Sequence, residues 1–420
     1  MKLWAVGFGL LGAAFAAYSS LQTSRPTVVV ITGDFAGFLE PCGCTLPTTG
    51  GIERMATLIR RLQKSNDVSL LVNGALVAGS GRQNELKLET LAFTLRDLSA
   101  AAINLSHQDA SLGIGAITQI QNQAPGRLIS GSIQPTGTLT LPTANQSGPF
   151  LIGGISTNPV SLSRPLNTQP VDPEEAIQNL IRQAKDQSLT PVLLVDGSLD
   201  EATRLAVKFP ILGLIVYRSV DDPPSEPVRV GKTILVTPGE HGKGAVQISF
   251  DAGSFTQYQV VKLTPAFSND PQVSSLYEDY LRQVDKSDLL ERLPRSKTRQ
   301  LAGSKKCQSC HASAYLSWHS SKHATGLSSL EKVKHGRDPD CVVCHVVGLQ
   351  SFFGFRSRAL TPDLANVGCE SCHGAGEPHV KSPRTVKMGK VGLKMCASCH
   401  TTDQSPNFNA LTFWDRIKHR

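Results

Sequence analysis

The chain has 420 residues, of which 40% are hydrophobic and 18% are charged. This length is too great for one ordinary domain, and the composition excludes a largely disordered chain. The net charge of +8 comes entirely from residues 301–420, which contain 16 Lys or Arg and 8 Asp or Glu, whereas the first 300 residues contain 26 of each.

The chain begins with a pattern typical of an export signal. Lys2 precedes an uncharged, mostly apolar stretch at residues 3–18, in which Ala14-Phe15-Ala16 resembles a cleavage site. This stretch is somewhat short for a membrane-spanning helix, which needs about 20 residues, but an uncleaved anchor stays an alternative to a cleaved signal. Both interpretations place the rest of the chain in the periplasm or on the outer face of the bacterial cytoplasmic membrane.

From residue 27 to residue 263, short apolar runs alternate with amphipathic segments. Ile52, Met55 and Ile59, for example, repeat at helical spacing. Strands that alternate with helices predict a layered α/β domain. The predicted strands are Thr27–Gly33, Ser69–Val72, Pro191–Asp196, Leu212–Tyr217, Thr233–Pro238 and Ala245–Phe250, the last two as a pair, and the predicted helices are Gly51–Lys64, Asn84–Ala100, Pro173–Gln187 and Leu199–Phe209.

The last part of the chain has a different pattern. Asp270–Leu293 is a charged helical stretch that we interpret as a connector, and Pro294–Ser304 has the polar, basic composition of a linker. No strand pattern follows, and frequent Gly, Ser and Pro favour short helices and irregular structure. The expected organisation is a leader at 1–24, an α/β domain at 25–265, a helical linker at 266–300 and a mostly helical or irregular domain at 301–420.

Eight of the ten cysteines fall in four Cys-x-x-Cys-His motifs after residue 300. This spacing is the attachment motif of c-type haem. The two thiols bond to the vinyl groups on one haem edge, and the histidine that follows binds the iron as its proximal ligand. The sequence therefore predicts four covalently bound haems. The attaching cysteines are Cys307, Cys310, Cys341, Cys344, Cys369, Cys372, Cys396 and Cys399, and the proximal histidines are His311, His345, His373 and His400.

Two other uses of paired cysteines explain these motifs less well. Four pairs could form two zinc sites with four thiolates each, or a disulfide framework in an exported protein. Neither accounts for a histidine after every pair. Because aliphatic runs are scarce here, we expect the haem rings to form much of the core, and their propionates to offset the local positive charge. The charge therefore does not indicate a nucleic-acid partner.

The second axial ligand of each iron separates electron transfer from chemistry at the metal. A second histidine closes the iron, whereas an open position can bind a substrate. Five further histidines of this region are candidates for that position: His319, His323, His335, His379 and His419.

Two patterns around these histidines resemble the tetrahaem cytochrome c-554 family. They are Trp-His-Ser-Ser-Lys-His-Ala at 318–324 and Gly-Cys-Glu-Ser-Cys-His-Gly-Ala-Gly-Glu-Pro-His at 368–379, with Ala375 where the family often has proline. Asp340-Cys341 and residues 414–419 fit the same general pattern. The resemblance implies that the distal ligands are His323, His379 and His419, with His335 as the remaining candidate, although one haem of the family can stay five-coordinate.

The α/β region resembles the 5′-nucleotidase-like metallophosphoesterases. Residues 33–44 and Gly50-Gly51 match the opening of those enzymes, and residues 231–243 match their closing strands. The resemblance implies a two-metal site in which carboxylate, histidine and asparagine ligands hold metals that activate water.

Most of these ligands are missing from the sequence. Asp34-Phe35-Ala36 replaces the Asp-x-His opening, and Asn73-Gly74-Ala75 replaces the Gly-Asp element. The Gly-Asn-His element is at best the segment that ends at His107, and residues 216–222 hold no Gly-His-x-His. We therefore expect Asp34 and His107 to be structural, no second metal site in this domain, and a fold that serves as a docking or scaffold module.

Cys42 and Cys44 form a Cys-x-Cys pair that no histidine follows, so the pair is not a haem motif. Outside the cytoplasm such a pair could form a strained disulfide, hold a metal or stay reduced. We favour a redox-sensitive or structural pair over metal binding.

Three functions are consistent with these patterns. The supply of histidines favours an electron carrier, rather than an enzyme, in which four haems pass electrons between redox partner proteins. The first alternative is a haem-dependent oxidoreductase that acts on a small nitrogen or sulfur compound at an open iron. The second is an active metallophosphoesterase fused to a cytochrome, against which the missing ligands count.

Overall fold

The computed structural model describes residues 25–42, 47–137, 139–158 and 168–419. The predicted signal or anchor at 1–24 and Cys44 lie outside the described residues. Within the described ranges, no helix is both long enough and apolar enough to cross a bilayer.

The strands of the described residues all precede residue 263, and most of them belong to two large sheets. They are β1 (Thr27–Thr32), β2 (Pro41–Cys42), β3 (Thr49–Gly50), β4 (Asp67–Val72), β5 (Ala102–Asn104), β6 (Leu128–Ile129), β7 (Ile133–Pro135), β8 (Ala144–Ser147), β9 (Phe150–Ser156), β10 (Thr168–Pro170), β11 (Thr190–Asp196), β12 (Leu214–Val216), β13 (Val228–Val230), β14 (Thr233–Val236), β15 (Gly244–Asp251) and β16 (Ser254–Lys262).

The two large sheets have six strands each and pack face to face. The first has the order β16-β15-β1-β4-β5-β6, and its last four strands are parallel. The second has the order β13-β14-β12-β11-β9-β8, and its four inner strands are parallel. Val29 of the first sheet and Ile152 of the second lie in one buried cluster between them. Buried apolar side chains such as these each contribute about 1.5–3 kcal/mol to folding.

Helices cover the outer face of each sheet. Those on the first sheet bury Ile52, Leu91 and Tyr280, and those on the second bury Ile177 and Leu205. The predicted α/β fold is thereby confirmed as four layers, helix–sheet–sheet–helix. The helices are α1 (Ile52–Gln63), α2 (Arg82–Asp97), α3 (His107–Ser111), α4 (Ile114–Gln123), α5 (Pro173–Asp186), α6 (Leu199–Lys208) and α7 (Pro271–Lys286).

The predicted pairing of the last two strands is wrong. β14 pairs with β12 and β13 in the second sheet, whereas β15 pairs with β1 and β16 in the first. The chain between them crosses from one sheet to the other, and the His241 amide donates a hydrogen bond of 2.6 Å to the Asp34 carbonyl on the way. A short interval between two apolar runs resembles a hairpin whether or not the runs share a sheet.

The predicted connector helix is present as α7, followed by the short α8 (Leu289–Arg292). The Asp270 carboxylate accepts hydrogen bonds from the amides of Gln272 and Val273, and Pro271 occupies the first turn, so both features start the helix. The buried face of α7 packs on α1 and α2. Helix α7 is therefore part of the helical layer on the first sheet, as well as a connector.

Residues 301–419 contain short helices joined by irregular segments, as predicted. Their apolar core is one small cluster around Val342, Val346 and Phe355. The helices are α9 (Ser304–Cys307), α10 (Ala312–His319), α11 (Gly326–Lys332), α12 (Pro339–His345), α13 (Cys369–His373), α14 (Glu377–Lys381) and α15 (Ala410–Ile417), with 3₁₀ turns at Lys322–Thr325, Pro362–Leu364 and Leu393–Ser398.

Candidate haem centres and the cleft of the α/β unit

The Cys-x-x-Cys-His motifs lie on short helical turns. The His311 amide donates a hydrogen bond of 2.9 Å to the Cys307 carbonyl, and the His400 amide donates one of 2.8 Å to the Cys396 carbonyl. Residues four apart share one face of a helix, so the first cysteine and the histidine of a motif point the same way. This is the arrangement that attachment and proximal ligation of one haem require.

Three of the predicted proximal histidines face another histidine. The ring centres of His311 and His379 are 6.0 Å apart, and those of His373 and His419 are 5.9 Å apart. The third pair is His400 with His323, the predicted distal residue of the first pattern, at 6.3 Å between ring centres. The members of each pair lie at least 46 residues apart in the chain.

The spacing of these pairs fits a shared iron. Two imidazoles that bind one metal at about 2 Å through a nitrogen have ring centres roughly 6 Å apart. None of the eight motif cysteines forms a disulfide, so their sulfurs are available for thioether bonds. Burial, followed by the charges of neighbouring His400 and His345, lowers the pKa of His323 and favours the neutral ring that metals bind.

Backbone carbonyls orient several of these rings. The Nδ1 atoms of His345, His373 and His379 lie 2.8, 3.2 and 2.6 Å from the carbonyl oxygens of Gly326, Gly389 and Val386. A ring that donates from Nδ1 keeps the lone pair of Nε2 for a metal, and such bonds fix the orientation of metal-binding histidines. His419 makes a similar contact of 3.0 Å to the Ile417 carbonyl.

The structure treats the two remaining histidines differently. His319 packs its ring against Tyr315 and Trp318, on the same short helix. His335 is only 6% exposed, with Nε2 3.3 Å from a Glu40 oxygen and Nδ1 3.8 Å from the Cys341 sulfur. Neither faces a predicted proximal ring, and within the described residues no imidazole stacks opposite His345.

The motifs also lie in adjacent pairs. Hydrogen bonding between the thiols of the first and third motifs lowers the pKa of Cys369 to about 6 and raises that of Cys307. A hydrogen bond from Cys344 in the second motif likewise lowers the pKa of Cys399, in the fourth, to about 6. Cysteines of the first and third motifs are therefore neighbours, as are cysteines of the second and fourth.

Sequence reasoning missed Glu370, which holds two of the motifs together. Its buried carboxylate accepts hydrogen bonds of 2.9, 2.8 and 2.6 Å from the amides of Ala302, Gly303 and Gly376. These amides precede the first motif and the helix that carries His379. The one sequence feature that could have pointed to Glu370 is its position between the two cysteines of the third motif. The motif itself does not specify the residue at that position, so the glutamate was not singled out.

The second candidate site is a cleft at the carboxyl ends of parallel strands in both sheets. Ligands of open α/β sheets bind at this edge. Asp34 follows β1, His107 follows β5, Asp196 ends β11 and Arg218 follows β12. Asp34 and His107, which the sequence predicts to be structural, thus meet Asp196 and Arg218, two residues that no sequence pattern singled out.

Arg218 joins the two carboxylates of this cleft. Its guanidinium lies 3.0 Å from an Asp34 oxygen and 2.9 Å from an Asp196 oxygen. His107 Nδ1 and the Ser156 hydroxyl contact the same Asp196 side chain at 2.7 and 2.6 Å. Burial alone would raise the pKa of Asp196, but the hydrogen bonds from His107 and Ser156 hold it well below its usual range. Burial raises the pKa of Asp34, although Arg218 opposes that effect.

These residues do not fit a two-metal centre. The guanidinium pairs with both carboxylates, so it supplies the positive charge that a metal would supply there. Alanine stands at positions 36 and 75, where the resemblance noted from the sequence would require a histidine and a carboxylate. Both alanines have positive φ angles, 48° and 51°, a conformation that costs about 1–3 kcal/mol and clusters at functional sites. The backbone is therefore strained at two positions of the cleft whose side chains offer no metal ligand.

Residues 301–419, which carry the four motifs, contact the mouth of this cleft. Asp403, three residues after the fourth motif, lies 2.7 Å from Lys243 Nζ and 3.2 Å from His241 Nδ1. Near the second motif, Asp340 pairs with Lys87, and His335 contacts Glu40 as described. The sides of the second and fourth motifs therefore face the α/β unit.

Comparison with solved structures identifies the fold class of the α/β unit. It is similar to the sulfate thiohydrolase SoxB of Thermus thermophilus, with a TM-score of 0.53 and 16% identity over 64% of this chain and 62% of that one. A 5′-nucleotidase precursor from the same organism gives a TM-score of 0.54 and 19% identity over 67% and 63%. The calcineurin-like phosphoesterase YfkN of Bacillus subtilis gives 0.51 and 14% over 62% and 97%. At these identities the likeness concerns the fold alone.

The carboxy-terminal part matches a cytochrome family. Residues 306–374 match the model of "Cytochrome c554 and c-prime". The chain is 39% identical over 89 residues to cytochrome c-554 of Nitrosomonas europaea, which is 18% of this chain and 38% of that protein, well under two thirds of its length. Both resemblances predicted from the sequence are thereby confirmed: part of the carboxy-terminal region is similar to the c-554 cytochromes, and the α/β unit has a fold like that of the solved phosphoesterase structures.

Proposed function

We propose that this protein is an exported electron carrier that binds four haems c and passes electrons between redox partner proteins. The observation that carries the proposal is the set of three imidazole pairs, His311–His379, His373–His419 and His400–His323, with ring centres about 6 Å apart. Bound haem supplies reversible one-electron transfer, and two histidines on one iron exclude substrate from it. In this proposal the chain holds the rings, orients them and leaves the iron closed.

The adjacency of the motifs supports a relay. Cys307 lies beside Cys369, and Cys344 lies beside Cys399. Haems attached at neighbouring sulfurs are close enough to exchange electrons inside the chain. Export is supported by the basic and apolar start of the sequence and by covalent attachment itself, since c-type cytochromes are assembled outside the cytoplasm.

The relay can be tested on the purified holoprotein. An acidic flavodoxin, reduced to its hydroquinone, serves as donor and ferricyanide as acceptor in a stopped-flow spectrophotometer. The proposal predicts reduction and complete reoxidation of all haems, with electrons in equal to electrons out. Consumption of electrons by added nitrite or hydroxylamine, with release of a product, would contradict a pure carrier.

One observation favours a second function at the second motif. His345 has its Nδ1 bound to the Gly326 carbonyl, so Nε2 is oriented for an iron, yet no described imidazole stacks opposite it. The haem at Cys341 and Cys344 is then five-coordinate and can bind a small molecule, as an oxidoreductase for a small nitrogen or sulfur compound would require. The competing assignment makes His335 the fourth distal ligand.

Carbon monoxide distinguishes these two assignments. Reduced protein in which the second haem is open binds one carbon monoxide per chain, and His335→Ala leaves that stoichiometry unchanged. If His335 closes the iron, the unmodified protein binds none and the variant binds one. Turnover of hydroxylamine or nitrite by the unmodified protein would then decide whether the open position is catalytic.

A further inference from the structure

The segment between the third and fourth haem motifs is strongly basic. Residues 381–394, which we name the cationic segment, hold Lys381, Arg384, Lys387, Lys390 and Lys394, with no Asp or Glu. All five side chains are exposed. Lys381 pairs with Glu377, but within the described part of the chain no carboxylate lies within ion-pair distance of the other four.

The backbone of the cationic segment contacts histidines of two predicted haem centres. The Val386 carbonyl lies 2.6 Å from Nδ1 of His379, and the Gly389 carbonyl lies 3.2 Å from Nδ1 of His373. The Gly389 amide also donates to the His373 carbonyl at 3.2 Å. The positive charges are therefore carried by the same stretch of chain that orients one axial ligand of the first haem and one of the third.

Haem propionates do not remove this charge. Lys305 and Lys306, directly before the first motif, are exposed as well, and Lys306 lies 3.3 Å from Glu377. With the cationic segment they make seven cations beside two carboxylates, the paired Glu377 and the buried Glu370. Two haems bring four propionates, so a positive excess remains even if every propionate turns toward these residues.

The other two haem motifs face the α/β unit. Asp403 follows the fourth motif and pairs with Lys243 of that unit. Asp340 directly precedes the second motif and pairs with Lys87. A protein partner therefore has open access to the side of the first and third haems, and the charge on that side is positive.

We propose that the cationic segment is the docking surface for an acidic redox protein, which exchanges electrons with the chain at the first or third haem. This inference rests on the proposed carrier function and deepens it by naming the chemistry of the partner. Complementary charge raises association rates roughly 10-fold to 1,000-fold at low ionic strength, and charges that rim a contact act mainly on the association rate.

The test uses full-length holoprotein and acidic flavodoxin hydroquinone as the probe. Lys387→Glu/Lys390→Glu is expected to lower the second-order rate of haem reduction at least about tenfold at low salt, and to flatten its dependence on ionic strength. Binding of oxidised flavodoxin, measured by titration calorimetry, is expected to weaken in parallel. Lys185→Glu/Lys232→Glu applies the same charge change to exposed positions of the α/β unit and is expected to leave both quantities within about twofold.

The outcomes are separable. If the segment variant is reduced by flavodoxin as fast as the unmodified protein, the docking proposal is overturned, although the carrier function stands. If dithionite reduces the haems but no protein donor or acceptor exchanges electrons with the unmodified chain, the carrier function itself fails. A third outcome is that the unmodified protein sediments with phosphatidylglycerol vesicles and the segment variant does not, while both are reduced by flavodoxin at the same rate. That outcome would assign the segment to a lipid surface and overturn the proposal.

Discussion

The α/β unit and the carboxy-terminal part are built in opposite ways. The described residues of the α/β unit form three large apolar clusters, one between its sheets and one under each helical layer, and in its cleft Arg218 pairs with Asp34 and Asp196. Residues 301–419 have one small apolar cluster, yet they bring three histidine pairs to metal-binding distance. One part has a large apolar core, and the other has paired histidines with little apolar core.

This contrast shows what each part depends on. Apolar burial can maintain the α/β fold, and Arg218 supplies the positive charge between the two carboxylates of its cleft. Residues 301–419, which we call the cytochrome part, bury too little apolar surface to be stable through apolar burial alone. In the proposed function the haems complete its core, so loss of haem should impair both its folding and its electron transfer. Changes in the two parts should therefore have different readouts.

The largest expected effect is the loss of a closed iron. His379→Ala is predicted to convert one of the low-spin haems completely to high spin, because the residue opposite His311 is removed. EPR and the absorption of the oxidised protein measure this change. His319→Ala removes a histidine of the same region that stacks on Tyr315, and it should leave the spin states unaltered; a change there would show that the pairing is misassigned.

Arg218→Met should lower the stability of the α/β unit and leave the haem spin states unchanged. It leaves the buried carboxylates of Asp34 and Asp196 without their cation, which typically costs about 3–5 kcal/mol. Urea unfolding followed by far-ultraviolet circular dichroism measures the loss, with Arg204→Met, on an exposed helix face, as the control. Asp34→Asn in addition should restore part of the stability. Equal stability of Arg218→Met and the unmodified protein would show that the ion pairs are not structural.

Glu370→Ala should weaken the contact between the first and third motifs. Three buried amides lose their acceptor, and we expect a loss of about 2–3 kcal/mol in the free energy of unfolding of the cytochrome part. Glu370→Gln keeps one side-chain oxygen as an acceptor and should lose less. Thermal unfolding monitored at the haem absorption band reports this part alone; if the two variants match the unmodified protein, the carboxylate is not what holds the motifs together.

The smallest expected effect is a change in pH dependence. Burial raises the pKa of Asp109 to about 6, despite hydrogen bonds from Ser106 and the Leu76 amide. The folded state therefore keeps a proton between pH 4 and 6 that the unfolded chain releases, so this group lowers stability as pH rises across that window. Asp109→Asn should remove that decline. Melting temperatures at pH 4, 5 and 6 measure it, and an unchanged profile would assign the decline to other groups.

The parts that the sequence predicted depend on local patterns. The haem motifs are five residues long, and the helices show their apolar periodicity within a few turns, as in Ile52, Met55 and Ile59. The fold of the α/β unit and the cytochrome resemblance were recognisable for the same reason. The strands β14 and β15 were misjudged because their pairing depends on which sheet each one joins.

The parts that could not be predicted depend on contacts between distant residues. His311 and His379 are 68 positions apart, and no local pattern says that they face each other. Arg218 looks like an ordinary surface residue until β1, β11 and β12 end at one edge. His335 stays a candidate distal ligand, and its contacts with Glu40 and the Cys341 sulfur likewise join residues that are distant or unpatterned in the sequence.

The central claim is tested most directly by the haem content and iron spin states of the holoprotein. Intact-mass spectrometry counts the covalent haems, and EPR of the same oxidised sample counts the low-spin centres. The account predicts four haems in one chain, of which three are low spin through His311–His379, His373–His419 and His400–His323. A mass with fewer than four haems, or with zinc in place of haem, would contradict it.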